Sequence, residues 1–211
     1  YSLMLSSRST SLKQTISTLT EELSSGRISD VTERVGGDYS YLVDIDHNLS
    51  RLSGFSIATS EASIFMEAAQ QNLGRIAEDT VDLSTKILAT TPAYVTSVRE
   101  HNAGIARDKL DGVLASLNGT IAGQSIFGGV NTDRAPLEDA DTLLTGLLTA
   151  ISGQTTVADI RAAATNWFDD PAGFKALMYA GSDTTLAPSQ ISTGQNVSMP
   201  ITANDQTFRD L

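Results

Sequence analysis

The sequence predicts a mainly α-helical protein, an elongated bundle of long antiparallel helices that carries a small mixed α/β module near its C-terminal half. Three observations predict it. Apolar residues recur at alternating steps of three and four along one very long stretch. Glycine and proline cut the remaining pattern into separate helices. The composition also changes abruptly after Ala122. The long stretch runs from Leu42 through Ile45, Leu49 and Leu52, and then from Met66 and Ala69 through Leu73, Ile76, Leu83 and Ile87. Such spacing is the seam of a helix packed lengthwise on other helices. About 50 helical residues at ~1.5 Å each make a rod of roughly 75 Å. A compact domain of this length should be only about 45 Å across, so the sequence predicts an elongated molecule.

The first helix is expected from near the start to about Ser25, with Leu5, Leu12, Ile16, Leu19 and Leu23 on one face. Gly26 follows, where glycine can take the left-handed conformation that closes a helix. Asp30 and Glu33 have capping-box spacing before Gly36-Gly37 breaks the chain. Asp38 is placed to cap the second helix, expected to end near Leu88. Thr91-Pro92 then supplies a start signal for the third, whose face carries Val95, Val98, Ile105, Val113, Leu117 and Ile121. Gly104 and Gly112 each weaken that helix by up to ~1 kcal/mol relative to alanine. The short connection makes helices two and three antiparallel neighbours.

After Ala122, Gly123, Gly128, Gly129, Asn131, Asp133 and Pro136 predict irregular chain or a hairpin around Gln124 to Val130. Leu143 to Ile151 and Val157 to Phe168 read as short helices, and Asp169-Asp170-Pro171 as a turn. Phe174 to Tyr179 and Ile191 to Ile201, separated by Gly181-Ser182-Asp183, read as strands of a small sheet. Thr202 and Asp205 have capping-box spacing ahead of Phe208 and Leu211, the opening of a final helix. The expected domains are a helical rod over 1–125, completed by 202–211, and a smaller module over 126–201. A missing initiator Met and a helix that opens in the last turn suggest a fragment shortened at both ends.

The 211 residues, 40% of them apolar, suffice for a real core. With 14 basic against 25 acidic residues the net charge of −11 opposes binding to nucleic acid or anionic lipid, while leaving protein surfaces open as partners. No cysteine is present, so disulfides, thiolate nucleophiles and cysteine metal sites are excluded. No apolar run approaches the roughly 18 residues of a membrane span.

Candidate chemistry is sparse. Asp44, Asp46 and Asn48 imitate the first half of a calcium loop, but Leu49 and Phe55 stand where the glycine and the bidentate glutamate belong. His47 and His101 are the only histidines and lack the neighbours of a zinc helix, so both are expected on exposed helix faces. No Gly-x-Ser-x-Gly elbow is present, and Gly36-Gly37 and Gly128-Gly129 lack a phosphate-loop pattern. Asn48, Asn118 and Asn196 begin sequons of a kind that arises by chance in a Ser/Thr-rich chain. Tyr39, Tyr41, Trp167, Phe168 and Phe174 are expected to anchor loops to the core. Catalytic, cofactor-binding and metal residues are all expected to be none.

Two motifs carry a family resemblance. Leu19-Thr20-Glu21-Glu22-Leu23-Ser24-Ser25-Gly26-Arg27-Ile28 resembles the Leu-x-x-x-Leu-Ser-Ser-Gly-Lys/Arg-Arg-Ile segment that ends the first helical portion of bacterial flagellins and flagellin-like proteins. Leu117-Asn118-Gly119-Thr120-Ile121-Ala122-Gly123-Gln124-Ser125-Ile126-Phe127-Gly128-Gly129 is similar to the signature of the flagellar hook-filament junction proteins, which are flagellin-like hook-associated proteins. Ala203 to Asp210 resembles that family's entry into its C-terminal helix. The likeness runs along essentially the whole chain, with one departure: Ser29-Asp30-Val31-Thr32-Glu33 replaces the usual Asp-Asp-Pro/Ala.

The resemblance implies a non-enzymatic structural protein with a flagellin-like core, exported through the flagellar channel. It would sit outside the cell as an adaptor ring between hook and filament. Its partners would be hook-associated protein, flagellin and copies of itself. Without polymerising ends the chain is expected to be monomeric at micromolar concentration. The alternatives are a short flagellin that forms the filament, a hydrolase with a helical arm, and a helical signalling rod.

Overall fold

The computed structural model describes residues 2–29, 38–89 and 96–211. The expected capping box at Asp30 and Glu33, the break at Gly36-Gly37, the start signal at Thr91-Pro92 and the face residue Val95 lie outside the described residues. The described chain is mainly helical and carries two small antiparallel sheets. Its elements are α1 (Ser2–Ser25), α2 (Ser40–Ala89), α3 (Thr96–Leu117), β1 (Thr120–Ile121), β2 (Gln124–Ser125), α4 (Ala140–Ile151) and α5 (Val157–Asp169). A π-turn (Pro171–Lys175) follows, then α6 (Ala176–Met178), β3 (Ser189–Ser192), β4 (Gln195–Val197) and α7 (Gln206–Arg209). Two compact units divide the chain, Tyr1–Gly54 and Phe55–Leu211, and the boundary falls inside α2.

In the first unit, α1 stops as the sequence predicts. Gly26 has φ +65°, and Glu22 Oε1 accepts from the backbone N–H and the hydroxyl of Ser29 at 2.9 and 3.0 Å, holding the exit in place. Asp38 takes up an orphan helix donor, accepting from Ser40 N–H at 2.9 Å, and hydrogen bonding from the Ser40 side chain, then from this N–H, lowers its pKa. No described residue of α1 is buried.

The second unit holds the core, which gathers Ala69 and Ile76 of α2, Leu114 and Leu117 of α3, Ile126, Phe127, Leu137, Leu143, Trp167, Phe174, Met178 and Ala203. Thus α2, α3 and the expected 126–201 module share one interior. Within it, α2 and α3 interlock in opposite directions. Asn72 lies against Gly119, Asp79 against Gly112, and Asp82 against Lys109, so contacts climb one helix as they descend the other. A Cβ at Gly112 would stand 2.8 Å from Asp79 Oδ2, so this glycine is where α2 comes close.

The apolar seam of α2 is not the unbroken row the sequence suggested. Its covered face is Phe55, Ala58, Ala62, Phe65, Ala69, Asn72, Ile76, Asp79 and Leu83, a clean alternation of threes and fours. Leu49 and Leu52 are exposed, and so is Ile87 at the far end. From Leu49 through Leu52 and Phe55 to Ala58 the row takes three steps of three in succession, which turns it onto a different face of the helix. That loss of phase coincides with the unit boundary at Gly54.

Several sequence expectations are corrected. The third helix ends at Leu117, not past Ile121. Asn118 leaves the helix, and its side-chain amide clasps the backbone of Leu137 through two 2.9 Å bonds, with Nδ2 donating to the carbonyl and Oδ1 accepting from the N–H. Ile121 therefore belongs to β1. The hairpin is β1–β2, earlier than Gln124 to Val130, because Ala122 and Gly123 at φ +49° and +79° form a turn of the primed type. Phe174 to Met178 is helical, not a strand. Phe174 and Met178, four apart, both turn into the core, and only Tyr179 bridges to Leu137. The strand expected over Ile191 to Ile201 is a hairpin that starts at Ser189 and folds at Gly194, φ +76°. The final helix is capped by Asp205, which accepts from Thr207 N–H at 3.0 Å, while Thr202 is buried. Its start lies at Gln206.

Candidate assembly surfaces

The residues weighed for chemistry do not come together. Asp44, Asp46, His47 and Asn48 stand exposed on the first part of α2, and Asn48 Oδ1 accepts from Arg51 at 3.1 Å. His101 is exposed on α3. Among the described residues no group of three or more His, Asp or Glu could hold a metal ion. Of the five aromatics, Trp167, Phe168 and Phe174 form one cluster with ring centroids 5.0 to 6.1 Å apart, which ties α5 and the π-turn to the core. Tyr39 and Tyr41 are exposed, at 41% and 72%, and lie outside this cluster.

The segment from Leu117 to Gly129 lies at the core of the second unit. Phe127 and Ile126 are almost wholly buried, and Phe127 meets Phe208 edge-on at 6.0 Å. The Phe127 carbonyl accepts from Ala203 N–H at 2.9 Å, which ties the C-terminal segment to this loop. Gly129 has φ +62°, and a Cβ there would stand 2.3 Å from the Ser182 carbonyl, so only glycine fits. Its neighbours close the knot: Ser182 N–H donates to the Gly128 carbonyl and Val130 N–H to the Thr184 carbonyl, each at 2.9 Å.

Charge is organised along the same unit. Lys109 bridges Asp79 and Asp82 at 2.8 Å each, and these bonds raise the ammonium pKa and lower that of Asp82. Arg107 joins α3 to Asp141 at 2.6 Å. Asp139 caps α4 by accepting from Thr142 N–H at 2.8 Å, and this bond holds its carboxyl below the usual range. Lys175 does the same for Asp183.

Several surfaces lie open among the described residues. One is the apolar row of α1, and the second is the exposed row Ile45, Leu49 and Leu52 of α2. The third is a groove of about 200 Å³ between α2, α3 and α7, floored by Leu114 and Leu117, walled by Leu83, Val113 and Phe208, and rimmed by Lys109 and Arg209. An open cleft of about 560 Å³ also runs along α4 past Thr142, Thr145 and Thr149, with Trp167 and Leu177 beside it. All are apolar faces edged by polar groups, suited to packing against protein. Sequence reasoning found the first two rows from their spacing, but it could not find the groove, which depends on where α7 lands. No protein-family model, curated protein or solved structure matches the chain.

Proposed function

We propose that this chain is a structural component of the bacterial flagellum, an adaptor at the junction between hook and filament, built as an elongated bundle of long antiparallel helices. What carries the reading is the segment Leu117 to Gly129. Its similarity to the junction-protein signature falls on residues that the fold uses as its central knot, with Ile126 and Phe127 buried and Gly129 fitting only as glycine. The opposed run of α2 and α3 supports it, as does the length of α2, 50 residues or roughly 75 Å at ~1.5 Å each. In this role the chain works by shape. It is exported through the flagellar channel and packs lengthwise against hook-associated protein, flagellin and further copies of itself.

A short flagellin is the second reading, favoured by the Leu19 to Ile28 segment, which flagellins share. Deleting the gene in its host separates the two. Loss of an adaptor leaves hooks without filaments and releases unassembled flagellin into the medium. Cells that keep normal filaments would overturn the proposal.

A further inference from the structure

Asn118 is the only asparagine of the chain that is followed by glycine. Such a pair is the most prone to deamidation, because no side chain on the glycine hinders attack by its nitrogen on the preceding amide. The fold calls for both residues. Leu137 faces Tyr179 at a bridge whose hydrogen bonds run from Glu138 N–H to the Met178 carbonyl and from Ala180 N–H to the Pro136 carbonyl, at 3.0 and 2.9 Å. That pattern leaves the N–H and carbonyl of Leu137 itself outside the bridge. Leu137 is 4% exposed, and Asn118 serves both groups at 2.9 Å. A side-chain amide supplies a donor and an acceptor together, whereas a carboxylate supplies acceptors alone. At Gly119 a Cβ would stand 2.6 Å from Asn72 Nδ2 on α2 and 3.0 Å from the Ser116 carbonyl, so a residue without a side chain fits.

The same bonds hold the pair inert. Asn118 Nδ2 is committed to Leu137, and Gly119 N–H donates to the Ser116 carbonyl at 3.2 Å. Deamidation expels that nitrogen and removes that proton, so both bonds must break first. We propose that Asn118-Gly119 is a covalent modification site that reports opening at the end of α3: closed, the pair persists, and open, it deamidates and marks the chain irreversibly. In the open state the Gly119 backbone nitrogen attacks Asn118 Cγ. A new C–N bond closes a succinimide ring, the Cγ–Nδ2 bond breaks, and ammonia leaves with the proton that Gly119 gives up. Water then adds to either carbonyl of the ring and opens it to aspartate or isoaspartate. At neutral pH aspartate leaves the Leu137 carbonyl without its donor and facing a negative charge. Isoaspartate inserts an extra main-chain carbon between α3 and β1. Neither product re-forms the clasp. The site does not depend on the flagellar role.

The full 211-residue protein is held at mildly alkaline pH, either native or unfolded in urea, and conversion of Asn118 is followed by peptide mapping with mass spectrometry. Conversion should be at least about tenfold slower in the native protein, because only its open fraction reacts. Gly119→Ala, compared in urea where its effect on folding plays no part, should slow conversion several-fold. After dilution from urea, the chains that regain the native fold should be depleted in converted Asn118, and Asn118→Asp should melt at a lower temperature than the parent. Equal rates in native and unfolded protein would overturn the proposal. So would an unfolded chain in which other asparagines convert first, or a converted chain that refolds as completely as the parent and melts with it.

Discussion

At Ala122 the backbone makes a demand that the residue meets badly. Its φ of +49° is the sole positive value at a non-glycine position among the described residues, and alanine there costs about 1 kcal/mol relative to glycine. Ala122→Asn, which creates the Asn-Gly pair favoured in this turn type, should raise stability by up to ~1 kcal/mol, read as a higher thermal midpoint. A lower midpoint would show that the hairpin geometry is wrong. The sequence made Gly123 legible as a turn residue. It did not reveal that Asn118 would leave its helix, because the partner it clasps, the backbone of Leu137, lies 19 residues on. Local spacing carries no information about such a contact, so Ile121 was assigned to the wrong element.

The helix α2 shows how periodicity can be right in kind and wrong in phase. Alternating threes and fours correctly marked a long helix and correctly chose Met66, Ala69, Leu73 and Ile76, all of which lie in or against the core. Phe55 and Phe65 were missed because a row drawn forward from Leu42 arrives at the wrong side after Leu49. Asn72 and Asp79 were missed because they are polar, although they face Gly119 and Gly112 across the α2–α3 contact. The two halves of the helix should therefore respond differently. Ile76→Asp, which places an unpaired charge at a site only 3% exposed, should cost several kcal/mol, whereas Leu49→Asp at 60% exposure should stay within about 0.5 kcal/mol. Urea denaturation of both variants checks this, and equal losses would contradict the phase break.

Short elements were harder to read than long ones. Phe174 to Met178 offers a single helical turn, too short for its period to stand out from an alternating strand. The caps at Asp139 and Asp170 decide where α4 and the π-turn begin through single bonds to Thr142 and Ala172. Helix ends of this kind depend on which donors are left unpaired, and the apolar pattern does not record that.

For the molecule as a whole, the bonded aspartates predict how stability varies with pH. Asp82, Asp139 and Asp183 are all held below the ordinary carboxylate range, by Lys109, by the Thr142 N–H and by Lys175 respectively. Groups depressed in the folded state stabilise it fully above their unfolded pKa of about 4 and lose that contribution as pH falls through their folded values. The thermal midpoint by calorimetry should hold steady from neutral pH to about 5 and drop below about 4. Lys109→Met should show a shallower acid drop, since Asp82 loses the first of its two ammonium partners and gains less from ionising. A midpoint that rises on acidification would contradict these assignments.

The proposed flagellar role rests on the length of α2 and on the buried segment Leu117 to Gly129, and position on the organelle tests it. Gold-labelled antibody against this chain, applied to purified flagella with hooks attached, should mark a single narrow band where hook meets filament. Gold spread along the filament would make the chain a flagellin, and flagella that carry none would contradict the account.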